Sequence, residues 1–141
     1  MDIEAIYLFL EEVQGVKRSK LSPSSDFLND LGIDGDDFSE LMESFAEKYE
    51  VDMSSYRWYF HHGEEGWNMG AIFFKPPYEQ VETISVKPLT LLEAAQQKMW
   101  PICYPPHELR KGRPDITLNI VFLLIAGVLG VSLWLSNKFS A

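Results

Sequence analysis

Apolar residues recur at Ile3, Ile6, Tyr7, Leu10 and Val13, and again at Phe38, Leu41, Met42, Phe45 and Tyr49. Both sets keep the three-and-four spacing of one helix face, so each predicts an amphipathic helix. Asp2, Glu4, Glu11 and Glu12 fall largely off the first stripe, and Gly15 is placed to end that helix. The second helix is announced by Asp34 at the N-cap and Asp37 at N3, a capping-box variant whose charges suit a helix N-terminus, and it is expected to run to about Glu50. Between the two, Val16 to Ile33 is rich in Ser, Pro, Asn and Asp but keeps apolar anchors at Leu21, Phe27, Leu28, Leu31 and Ile33. That pattern predicts an ordered loop pinned to a core.

The helical period is lost from Arg57 to Lys87, where Trp58, Tyr59, Phe60, Trp67, Phe73, Phe74 and Tyr78 crowd among glycines and prolines. Ala71 to Phe74 and Gln80 to Val86 carry the composition of two short strands joined at Pro76-Pro77. The aromatics are expected to pack on the domain. A further helix is expected to open at Leu89 and Thr90, with Thr90 as cap, Glu93 at N3, and Leu92, Ala95 and Met99 as its apolar edge. Residues 101–115 then contain prolines and the cations Arg110, Lys111 and Arg113, as an extended linker would.

Ile116 to Leu135 is free of charge and interrupted only by Thr117, Asn119 and Ser132. About twenty such residues match a hydrocarbon core about 30 Å thick, so this stretch is expected to cross a membrane. The expected organisation is a mainly α chain: a small helical bundle over 1–100 with an insertion at 57–87 and a possible short β-hairpin in it, a linker over 101–115, a span over 116–135 and a tail over 136–141.

Charge refines that division. Residues 1–100 hold 19 acids against 8 Lys and Arg, a balance of −11, whereas residues 101–141 hold 2 against 4, a balance of +2. An acidic front part disfavours nucleic acid, which needs clustered cations. Three cations before the span against Lys138 after it predict, by the positive-inside bias, a domain kept in the cytoplasm and anchored to the inner membrane by a single C-terminal pass. Met1-Asp2-Ile3-Glu4 lacks the cationic start of a signal peptide. The single cysteine, Cys103, is expected to be a small apolar filler.

The order of these elements, with Ser25-Asp26-Phe27-Leu28-Asn29-Asp30-Leu31-Gly32 in the anchored loop and Leu89-Thr90-Leu91-Leu92-Glu93-Ala94-Ala95 at the last bundle helix, resembles an acyl carrier protein. The nearest likeness is to an uncharacterised bacterial family of acyl-carrier-like proteins, a domain of unknown function. The resemblance covers roughly 3–56 and 87–99. It implies that an Asp-Ser-Leu motif should open the second helix, its serine bearing a phosphopantetheine arm. Here Asp34 matches the aspartate, while Gly35 stands for the serine and Asp36 for the leucine. Glycine has no hydroxyl to esterify, so no prosthetic group is expected, and the alternative of a working carrier rests on a non-standard serine such as Ser39, Ser24 or Ser25. The resemblance further implies that the carboxylates of the second helix, Asp36, Asp37, Glu40, Glu43 and Glu47, dock on the basic patch of a cytoplasmic partner.

Other chemistries fit less well. Asp30, Asp34, Asp36 and Asp37 around Gly35 fail an EF-hand frame, because Gly32 and Leu41 fall where ligands belong. His61-His62-Gly63-Glu64-Glu65 lacks an i, i+4 histidine pair or a nearby cysteine, so it predicts a polar loop and no metal. Cys103 and His107 lie on the expected linker with nothing to align them, and no catalytic residue is assigned; the chain is expected not to be an enzyme. Ala126 and Gly130 form a small-xxx-small pair that admits weak pairing of two spans.

Overall fold

The computed structural model describes residues 1–140 and is mainly helical. Four α-helices, α1 (Ile3–Gln14), α2 (Gly35–Tyr49), α3 (Pro88–Gln97) and α4 (Pro114–Phe139), are joined by loops holding four short 3-10 turns, and no strand occurs among the described residues. Residues 1–65 with 81–107 form one compact unit, and residues 66–80 with 108–141 form a second.

In the first unit α1, α2 and α3 enclose one apolar core, with Ile6, Phe9 and Leu10 from α1, Phe38, Leu41, Met42 and Phe45 from α2, and Leu91, Ala94 and Ala95 from α3. The stripe predicted for α2 is the buried face, as its spacing requires. The stripe of α1 is shifted by a fraction of a turn. Phe9 is fully buried, stacked edge-on to Tyr49 at 5.6 Å, while Val13 at the helix end is exposed. Gly15 closes α1 in a left-handed conformation, its N–H donating to the Glu11 carbonyl at 3.0 Å.

The loop from Val16 to Ile33 is ordered by its own side chains. Asp26 accepts from the N–H groups of Leu28 and Asn29 at 2.9 and 3.2 Å, closing the turn that presents Phe27 to the core. Burial pulls the Asp26 carboxyl up, but the Ser85 side chain and the donors of Asn29 and Leu28 together outweigh it and hold the group below its ordinary range. Ser25, buried, donates to the Lys20 carbonyl at 2.9 Å. Phe27 N–H donates to the Val86 carbonyl at 3.0 Å and ties this loop to the segment before α3.

Helix α3 begins earlier than the sequence predicts. Pro88 takes the first helical position, where its missing N–H costs nothing, and Thr90 sits at N3 and accepts from Lys87 N–H. The buried edge is therefore Leu91, Ala94 and Ala95, and Met99 is exposed. Lys98, left-handed at φ 58°, ends the helix, and reciprocal bonds of 3.0 Å between Asp52 and the Lys98–Trp100 backbone seat Trp100 against the core. Residues 101–107 remain with this unit through Tyr104, and Cys103 faces solvent, not the interior expected of it.

The second unit is built on the start of α4. The two strands expected at 71–74 and 80–86 are absent: Met69–Ile72 and Pro77–Glu79 are 3-10 turns. Asn68 accepts from Ala71 N–H, and Gly70 lies so close to Asp115 that a Cβ would overlap its backbone carbonyl. Asn119, one of the polar interruptions in the apolar run, accepts from Met69 N–H at 2.9 Å and donates to the Trp67 carbonyl at 3.1 Å. Aromatic content suited to a strand is thus overruled by side-chain bonds that satisfy the loop backbone locally. Helix α4 is long and apolar enough to cross a membrane, with mean hydropathy 2.4 over its most apolar stretch and none of that stretch buried. A core helix of a soluble body would be covered.

Candidate functional site

The α2 N-terminus is the most constructed feature of the first unit. Asp34 caps it, but not in the capping-box manner. Its Oδ1 accepts from Gly35 N–H at 2.8 Å and from Gly63 N–H at 2.9 Å, so one carboxylate binds the helix start to the loop after the 3-10 turn Trp58–Phe60. That turn and the two residues after it are not the polar loop expected for 61–65. Phe60, His61 and His62 are all buried, and Trp58 and Tyr59 are partly covered, so the early aromatics of the insertion do pack on the domain, whereas Trp67 and Phe73 are exposed against expectation.

Each histidine has a distinct setting. His61 donates from Nδ1 to the Ile84 carbonyl at 2.8 Å and accepts at Nε2 from the Tyr104 hydroxyl at 2.7 Å, with Tyr56 stacked on it at 5.3 Å. Tyr104 in turn accepts from Trp100 Nε1 at 2.8 Å and from Arg57 N–H at 3.1 Å. Burial pushes the His61 imidazole down to about 4, the Ile84 carbonyl pulling up and His62 pushing down in lesser measure. His62 stacks on Phe38 at 4.8 Å and donates from Nδ1 to the Gly63 carbonyl at 2.7 Å, which leaves Nε2 facing the Ser39 hydroxyl at 3.5 Å.

Around Gly35 the geometry disfavours a side chain. Its φ is +54°, a left-handed conformation that costs an L-residue, and the Glu65 side chain occupies the place of a Cβ. Asp34, Asp36, Glu64 and Glu65 border the position, so an anionic phosphodiester would meet like charge there. Gly35→Ser and Gly35→Ala are both expected to lose about 1–2 kcal/mol from backbone strain alone, read as a lower denaturation midpoint. Equal losses would place the fault in the Cβ and not the hydroxyl; an unchanged midpoint for the serine variant would refute the geometric argument.

The five carboxylates singled out from the sequence, Asp36, Asp37, Glu40, Glu43 and Glu47, are all exposed on α2, and none has an ion-pair partner among the described residues. Asp36, Glu40, Glu43 and Glu47 follow i, i+4, i+7, i+11 and so share one face. The structure adds what the sequence did not reveal: a groove of about 340 Å³ beside that face, lined by Ser39, Met42, Glu43, Ala46, Met53, Tyr56 and Trp58. Its walls come from α2 and from the irregular loop after it, whose course no periodicity reports. Beside it a smaller cavity of about 230 Å³ includes Gly35, Asp36, Ser39, His62 and Glu64. Of the other serines considered, Ser25 is buried and Ser24 lies on the outer loop. Among the described residues no cluster of three or more metal-ligating side chains forms.

These features define a small helical domain with an acidic, groove-flanked helix, joined to a helix of membrane-spanning length. Residues 3–101 match the model of the family described as "Protein of unknown function (DUF1493)", and the chain belongs to that family. No solved structure matches it.

Proposed function

We propose that the protein is a membrane-anchored interaction module of acyl-carrier-like design, without a phosphopantetheine arm, that recruits a partner bearing a basic patch. The observation that carries this reading is the row of unpaired carboxylates on α2 alongside an apolar groove. Uncompensated charge on one face accelerates encounter with a cationic surface and selects against acidic ones, while a groove lined by Met42, Ala46, Met53, Tyr56 and Trp58 supplies the desolvated anchor point that charge alone lacks.

The sequence likeness to carrier proteins supports the choice of α2 as the docking element, and the blocked Gly35 supports recruitment over acyl carriage. Helix α4 serves as the anchor, with Arg110, Lys111 and Arg113 holding its first end on the cytoplasmic side. Arg110 and Lys111 are exposed just before α4, where anionic headgroups attract them.

The test is capture from native membranes by crosslinking, comparing the natural chain with Glu40→Lys/Glu43→Lys/Glu47→Lys. The triple variant is expected to lose the captured partner, and the natural complex to weaken steeply as salt is raised. Retention of the same partner by the triple variant would remove α2 from the interface.

A further inference from the structure

The second unit contains a set of exposed apolar side chains that the docking of α2 does not use. Trp67, Ile72 and Phe73 are 78%, 72% and 64% exposed, although Phe73 also touches Phe122 of α4 at 6.2 Å between ring centroids. In a water-soluble loop such residues would be a liability. Their backbone, moreover, is held as if water were scarce. Met69 N–H donates to Asn119, Ala71 N–H to Asn68, and the N–H groups of Phe73 and Phe74 both donate to the Gly70 carbonyl. Asn119 also satisfies the Trp67 carbonyl. Irregular backbone persists at membrane depth only when its polar groups are met internally in this way.

Position along α4 supplies the second line of argument. The loop touches the helix at Asp115, Asn119 and Phe122, a rise of roughly 10 Å at 1.5 Å per residue. If α4 begins its passage near Ile116, that rise spans the layer between headgroups and acyl chains, where tryptophan and other aromatics collect. Cations accompany it: Lys75, Arg110 and Lys111 are exposed on the same unit, Arg110 lying over the Phe74 ring at 5.2 Å. Buried Asp115, paired with Arg113 at 2.7 Å and with the Asn68 amide at 2.9 Å, locks the loop to the helix and spends its charge inside the unit.

We propose that residues 66–74 form an interfacial collar seated against one face of the first turns of α4, with Trp67, Ile72 and Phe73 in the headgroup–acyl boundary of a bilayer containing anionic lipid. This rests on the reading of α4 as the membrane anchor. The collar fixes where the chain leaves the membrane and assigns the polar interruption Asn119 a structural duty. It also places the hydrocarbon span from about Ile120 onward, leaving enough apolar helix to cross, since ~17 residues suffice.

The experiment uses the full chain with Cys103→Ser, reconstituted in vesicles of phosphatidylethanolamine and phosphatidylglycerol. Single cysteines replace Ile72, Phe73, Leu129 or Glu93 and carry a nitroxide, whose exposure to oxygen is compared with exposure to a water-soluble nickel chelate. Labels at 72 and 73 are expected to give oxygen-to-nickel ratios several-fold above that at 93 and below that at 129. Ratios at 72 and 73 equal to that at 93, with 129 still deep, would overturn the collar and leave the anchor standing. A water-like ratio at 129 would overturn both.

Discussion

Phe38→Ala is expected to destabilise the first unit by about 3–5 kcal/mol, the usual cost of deleting a fully buried aromatic side chain. Phe38 has no exposed surface, meets Phe27 of the long loop at 5.8 Å and stacks on His62 at 4.8 Å. One ring therefore joins α2, the loop before it and the loop after it. Its removal leaves a cavity on two sides that cannot close together, because Phe27 is held by Val86 and His62 by Gly63. The consequence extends to the site. Without its platform His62 is freer to leave, and with it goes the segment that brings Gly63 to Asp34 and Glu65 over Gly35. Denaturant unfolding in mild detergent, followed by tryptophan fluorescence, measures the loss. Phe38→Leu, which fills most of the space, is expected to recover the greater part of it. A loss below about 1 kcal/mol for the alanine variant would mean that the three elements are not joined through this ring.

How much of this could be read from the chain depends on whether a feature is periodic. The stripe from Phe38 to Phe45 and the acids opposite it are one helix seen twice, so both the core face and the candidate docking face of α2 were legible. The ends of helices followed where a local rule operates, as at Gly15, and slipped where two rules competed: Thr90 has the chemistry of a cap, yet Pro88, with its fixed φ, claims the first turn. The aromatic stretch misled because β-propensity describes a half-buried pleated surface, and 71–86 has no partner strand on which to lie. What shapes it instead is Asn119, fifty residues from Met69, together with the absent Cβ of Gly70. The groove, the burial of His61 and the shielding of Gly35 by Glu65 share that origin. Each is a contact across the irregular loop 50–65, and such contacts leave no pattern in the local sequence.

Acidification exposes the other fragile point of the fold. The His61 imidazole is held at about 4 in the native state against about 6.5 when unfolded, so between those values the unfolded chain binds the extra proton. Stability therefore rises with pH across this window: the contribution is complete above about 6.5 and is lost as pH falls through about 4, amounting to about 3 kcal/mol if the depression is fully expressed. The geometry gives the reason. In the neutral ring Nδ1 donates to Ile84 and Nε2 accepts from Tyr104, whose oxygen already receives Trp100 and the Arg57 backbone. A proton on Nε2 would set two donors against each other in a buried place, with no carboxylate in the network to offset the charge. Urea midpoints measured at steps from pH 7 to pH 4 are expected to fall for the natural chain. In His61→Gln, a neutral side chain that does not titrate, stability is expected to be lower at pH 7 but its slope over that window much flatter, because the lowered value of a carboxylate such as Asp26 places its own loss at more acidic pH, below the window. An equally steep slope in the variant would show that His61 is not the group being protonated.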